Sequence, residues 1–194
     1  MKTHDLIFRG CPVPDLSEYQ HGALVLVECT ARDYHQTVCR LEDLGWEVRD
    51  SLKIVYADRA THQYALLRKP LLKSASSIAA NTMAHGTGVL NIEASRISPE
   101  ADAHGGSTSG RFPTNLFLAA DETIVSQFPE SQAGVELATK GSGGMFSEGT
   151  GVPCGPQYGD SGSAARFFYQ FENRLELLDY LQTLITPPER EHHE

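Results

Sequence analysis

Read as a string of apolar and polar positions, the chain changes character near residue 70. Before that point the pattern is regular. HDLIFR (4–9) reads as a short strand, cut off by Cys11-Pro12-Val13-Pro14 because proline cannot donate to a ladder. ALVLV (23–27) is continuously apolar, the pattern of a strand covered on both faces. Thr30-Ala31-Arg32-Asp33 reads as a capping box, with aspartate in place of the usual Glu or Gln. Tyr34, Val38, Leu41 and Leu44 follow at helical spacing, and Gly45 is a natural stop. Residues 47–56 and 63–68 read as two more strands, so the opening grammar favours an α/β fold.

Beyond Lys69-Pro70 the segments are shorter. The pattern predicts a helix over 76–84, a turn at Gly86-Thr87-Gly88, and short strands at 89–92 and 115–118. A polar loop rich in Gly and Ser (98–110) separates those strands. Residues 121–128 predict a small helix with Ile124, Val125 and Phe128 on its apolar face. Residues 131–163 are glycine-rich and almost aperiodic, and so long a loop in a compact domain is functional or disordered. The pattern then predicts a strand over 165–171 and an amphipathic helix over 173–185, with Leu175, Leu178, Leu181 or Gln182, and Ile185 on its stripe. The polar tail PPEREHHE follows.

Composition narrows the class. The 194 residues suit one domain, and 40% hydrophobic content suffices for a core. No apolar run spans a bilayer, and MKTHDLIFRG lacks the features of a signal peptide. Cys11, Cys29, Cys39 and Cys154 lack CxxC spacing, which fits reduced thiols and a cytoplasmic setting. The histidines share no metal-ligand spacing, so no metal is expected. Acids outnumber bases, 25 to 16, for a formal charge of −9, so any contact with nucleic acid must rest on local residues.

One short string suggests chemistry. GDSG (159–162) matches the nucleophile motif of chymotrypsin-like proteases, with His85 and Asp121 as conceivable partners for Ser161. Such proteases are paired antiparallel barrels, whereas this chain opens with strand, helix and strand. Ser163 also stands where the motif has a second glycine. No catalytic residue is assigned on that basis.

Three other strings fit better together. HGTGVLNIEASRI (85–97), GRFPTNLFLAADETIVSQFPES (110–131) and GDSGSAARFFY (159–169) occur in that order. They are flanked by HGALVLVECTARDYHQTVCRLEDLGWEVRDSLKIVY (21–56), YALLRKPL (64–71) and LELLDYLQTLITPP (175–188). The set resembles phage and bacterial DNA amino-methyltransferases, which methylate adenine N6 or cytosine N4 with S-adenosylmethionine. The resemblance implies a truncated Rossmann-like methyltransferase sheet within a single domain. Residues 1–70 and 164–188 would form the core, and 71–163 a recognition-region insertion.

Two departures bear on activity. The family's Asp/Asn/Ser-Pro-Pro-Tyr/Phe loop accepts hydrogens from the target amino group and stacks on the flipped base. Here the corresponding text is Arg9-Gly10-Cys11-Pro12-Val13-Pro14, with Arg9 or Cys11 at the acceptor position, and a guanidinium accepts no hydrogen bond. In the family the Thr-Pro-Pro after the last helix leads to a cofactor strand and a glycine-rich loop. Here Thr186-Pro187-Pro188 is followed by Glu189-Arg190-Glu191-His192-His193-Glu194, with no glycine after Gly162.

The expectation is therefore a non-catalytic methyltransferase-like protein of phage or prophage origin, acting in DNA modification or anti-restriction. Its partners would be DNA or a methyltransferase, restriction or defence protein. Homodimerisation, or pairing with another methyltransferase chain, would cover an open sheet edge. Alternatives are a methyltransferase subunit completed by a partner chain, which would use S-adenosylmethionine, and a module binding a nucleotide signal. Arg96, Arg111 and Arg166 match arginines of the family motifs. They are candidates for DNA phosphates or bases, or for pinning loop carbonyls. Asn115 is a candidate base contact or turn former. Asp160, Ser161 and Ser163 would pin the glycine-rich loop or touch a partner.

Overall fold

The computed structural model describes residues 1–58, 61–75, 77–97, 110–132 and 161–188. In chain order these form β1 (Lys2–Ile7), β2 (Tyr19–Thr30), α1 (Tyr34–Asp43), β3 (Glu47–Val55), β4 (Thr61–Arg68) and α2 (Ile78–His85). They continue with β5 (Leu116–Ala119), α3 (Glu122–Val125), β6 (Glu130–Gln132), β7 (Ser161–Ser163), β8 (Tyr169–Phe171) and α4 (Arg174–Ile185). The fold is mixed α/β around a six-stranded mixed sheet of order β1-β2-β4-β3-β5-β8. β1 and β2 are parallel, as are β3, β5 and β8 in succession, and β4 runs antiparallel between β2 and β3. Five strands therefore share one direction. Their carboxyl ends form a single edge of the sheet.

β2 explains its own placement. Because side chains alternate across a strand, Leu24 and Leu26 enter one core, while Ala23, Val25, Val27 and Cys29 enter the other. The first core gathers Leu52, Ile54, Tyr64, Leu66, Phe117 and Phe171 beneath α4. The second packs Leu41 of α1 against Trp46, Ala65 and Leu67. Trp46 is buried, donates its indole N–H to Pro14 O at 3.1 Å, and meets Tyr19 edge-on at 5.2 Å.

The expected capping box before α1 is only half formed: Asp33 is itself the N-cap, without a side-chain cap bond, and its N–H goes to the Thr30 carbonyl at 3.2 Å rather than to the hydroxyl. Asp33 reaches back to accept the Thr30 N–H at 2.6 Å. At the other end Trp46 N–H bonds Leu41 O (3.0 Å) and Gly45 N–H bonds Glu42 O (2.8 Å), with Gly45 at φ 93°. That pair of bonds is the Schellman arrangement, which needs a left-handed residue after the cap. Leu44, expected on the buried stripe, is 49% exposed instead.

Other differences are local. Residues 89–92 form no strand; Asn91 donates its N–H to Leu184 O at 2.9 Å and its side chain accepts from Ala94 N at 3.4 Å. The expected strand over 165–171 is divided. A 3₁₀ turn, Ala164–Phe167, precedes β8, with the Ser163 hydroxyl accepting from Ala165 N. The expected helix over 121–128 shortens to α3, capped by Asp121. On α4 the buried positions are Leu177, Tyr180, Leu181, Leu184 and Ile185, while Leu175 is exposed. β6 and β7 pair antiparallel, so the two ends of the glycine-rich segment are clasped.

Candidate functional site

Residues able to do chemistry gather at two places. At the carboxyl edge, β1 ends in a hydrogen-bonded turn, Cys11 N–H to Phe8 O at 3.1 Å, with Gly10 at φ 85°. Glycine adopts that conformation without strain, and it sets the chain across the end of the sheet. Glu28, near the end of β2, is the hub: its carboxylate is 9% exposed. It accepts the Arg9 N–H at 3.2 Å and an Arg174 N–H at 3.1 Å, and His62 Nδ1 lies 3.6 Å away. A carboxylate this buried needs such partners to offset its lost hydration.

The Arg9 side chain turns to Asp33, Nε to Oδ2 at 3.4 Å. Asp33 is held below the usual carboxylate range, first by the Thr30 backbone N–H and less by Arg9. Phe8 continues the row beneath Arg174, whose guanidinium carbon lies 5.9 Å from the ring centroid. This edge thus carries paired charges. Its guanidinium groups donate and its carboxylates are already occupied.

The second place lies at the amino ends of β5 and β8. An isolated bridge joins Ile97 to Arg111 through reciprocal backbone bonds of 2.9 Å. Arg96 and Phe112 therefore face each other across the ribbon, with the guanidinium 4.8 Å from the ring centroid. Glu93 takes two bonds from Arg96, at 2.6 and 2.9 Å, and Gly110 O a third at 3.2 Å. Arg111 lies over Phe167 at 5.0 Å, and Arg166 over the same ring at 4.4 Å. Arg166 also donates to Ser131 Oγ (2.9 Å), Ser163 O (2.8 Å) and Gly162 O. Phe112 and Phe167 remain 67% and 38% exposed.

The structure brings Arg111 and Arg166 together over Phe167, with Ser161 and Ser163 on the adjoining β7, and sets Arg96 over Phe112, the residue after Arg111. Ser163 caps the 3₁₀ turn. Asn115 stands apart, its side chain 3.4 Å from Asp50 Oδ1 and its carbonyl accepting Lys53 N–H at 2.8 Å. Asp160 lies outside the described residues. Sequence reasoning passed over Phe112, Phe167 and the Glu28 hub. The aromatics stood next to arginines in the quoted strings, which was a usable signal; Glu28 sat inside a strand and gave none.

Among the described residues no helix is long and apolar enough to cross a membrane, and no group of three or more His, Cys, Asp or Glu is placed to hold a metal ion. No family model matches the chain, and no curated protein does. Among solved structures the chain is similar to the crystal structure of M1.HpyAVI, at 13% identity and a TM-score of 0.30, over 34% of this chain and 43% of that one. It is also similar to the crystal structure of the M1.HpyAVI-SAM complex, at 14% identity and a TM-score of 0.30, over 36% of this chain and 44% of that one. The chain thus spans less than half the length of either structure.

Proposed function

We propose that the protein is a non-catalytic, methyltransferase-like DNA-binding protein of phage or prophage origin, acting in DNA modification or anti-restriction. One observation carries the reading. Arg96, Arg111 and Arg166, each from a different string of the resemblance, lie over exposed phenylalanines before β5 and β8: Arg96 over Phe112, and Arg111 and Arg166 together over Phe167. Guanidinium groups supply phosphate and base-edge donors, and exposed rings supply stacking faces. In a chain of charge −9, such a neighbourhood is where a polyanion can approach.

The carboxyl edge supports the non-catalytic part. The position that the resemblance gives to a hydrogen-bond acceptor holds Arg9 or Cys11, and the Arg9 side chain is turned onto Asp33. A target amino group placed there would meet a donor, so these residues do not fit methyl transfer and no step of it is assigned to them. The outer edge of β1 has no neighbouring strand among the described residues. In this reading a second copy of the chain pairs there about a two-fold axis.

The test is fluorescence anisotropy of labelled duplex and single-stranded DNA across a salt series. The expected result is an affinity that falls linearly with the logarithm of salt concentration, with a slope set by phosphate contacts. If no DNA of either form binds at low salt, the DNA reading fails and a modification or defence protein becomes the partner to seek.

A further inference from the structure

A cavity of about 340 Å³ opens between the turn after β1 and the face of α1 that carries Thr37, Arg40 and Leu41. It belongs to neither the arginine–phenylalanine neighbourhood nor the interior of either core. Ile7, Val13, Val27 and Leu41 give it an apolar floor continuous with the second core. Asp33, Thr37 and Arg40 line it from successive turns of the α1 segment, and Arg9 and Cys11 line it from the turn.

The lining carries two guanidinium groups, Arg9 and Arg40, and two carboxylates, Glu28 and Asp33, and Arg174 reaches Glu28 from outside it as a third cation. Arg9 is matched by Asp33, and Glu28 by Arg174. Both carboxylates are committed, since Asp33 also accepts the Thr30 N–H and Glu28 the Arg9 N–H. Arg40 is then the cation left over: among the described residues its guanidinium has no carboxylate at ion-pair distance. An apolar floor of this size under one surplus guanidinium suits a ligand with a flat apolar body and one anionic head. We propose that this cavity binds a small organic anion, a phosphate or carboxylate carried on an apolar ring. The site is independent of the DNA reading, because none of its lining residues belongs to the arginine–phenylalanine neighbourhood.

Two exposed cysteines make the test site-specific. Cys11 lines the cavity, whereas Cys39, also exposed, does not. The full chain is alkylated with iodoacetamide, and the rate at each thiol is followed by mass spectrometry. The probes are phenyl phosphate and phenylacetate, which distinguish the two head groups, and their separate halves, inorganic phosphate and benzyl alcohol.

At millimolar concentration at least one aryl anion is expected to slow Cys11 several-fold and leave Cys39 unchanged, with both halves much weaker. In Arg40→Gln that protection, measured against the variant's own unprotected Cys11 rate, is lost, while the thermal midpoint stays as in the parent. The proposal is overturned if neither aryl anion protects Cys11. Equal protection by benzyl alcohol, or protection that survives Arg40→Gln, overturns the assigned chemistry as well.

Discussion

Asn81 shows how one side chain can hold three segments. It is fully buried, and its amide donates to His21 O (3.2 Å) and Thr87 O (3.0 Å) while accepting Leu72 N–H at 3.2 Å. Removing it orphans buried backbone groups, so Asn81→Ala is expected to cost about 1–3 kcal/mol by urea unfolding. An unchanged midpoint would show that water takes over those bonds. Directly beneath lies Gly22, at φ +81°, where an added Cβ would stand 2.5 Å from the Asn81 amide nitrogen. Nothing in the sequence marked this pair, because a polar residue within an alanine-rich run reads as a solvated helix position. Trp46, which follows the glycine that stops α1, is buried instead of exposed like Leu44 two residues before it. Arg166 was legible only as a choice between DNA and loop carbonyls. The structure places it on Gly162, Ser163 and Ser131, and also on Phe167.

At the scale of elements, periodicity gave α1 and β2 to β4 well and erred where two apolar stripes compete. On α4 the spacing from Leu175 fits a helix as well as the spacing from Leu177 does. Packing chose the stripe that includes Tyr180, whose hydroxyl donates to Ser95 O at 2.5 Å. Leu181 lies at the centre of that stripe, fully buried, so Leu181→Ala is expected to cost about 2–5 kcal/mol by chemical denaturation, whereas Leu175→Ala should cost little. The strand over 165–171 was misread because the β-forming run RFFY follows a serine that caps a 3₁₀ turn, and the cap prevails locally.

Caps also set a pH dependence. Backbone N–H groups hold Asp15 and Asp33 below the ordinary carboxylate range, and the Thr123 hydroxyl and N–H do so for Asp121. A depressed folded pKa contributes stability above the unfolded value and loses it as pH falls through the folded one. Thermal midpoints should therefore decline on acidification through the carboxylate range, and Asp33→Asn should flatten part of that decline. The effect is small, since all three caps face solvent.

For the whole molecule, five co-directional strands place the two candidate regions at opposite ends of the sheet. The carboxyl edge holds paired charges around Glu28 and the cavity by Arg40; the amino ends of β5 and β8 hold the arginine–phenylalanine neighbourhood. The α/β class was readable from the alternation of the first seventy residues. The placement of the three arginines over phenylalanines was not, because the antiparallel bridge at Ile97 and the clasp of β6 with β7 join positions far apart in sequence. Pairing at the open β1 edge predicts a dimer by light scattering at micromolar concentration, and a monodisperse monomer would remove that part of the account. DNA binding through the arginine–phenylalanine neighbourhood is decided by one comparison: salt-dependent anisotropy for the parent chain and for Arg111→Gln on the same duplex. The parent is expected to bind with a linear salt dependence and the variant more weakly, its slope reduced by about 1 for one lost phosphate contact. A variant with the parent's affinity and slope would contradict it.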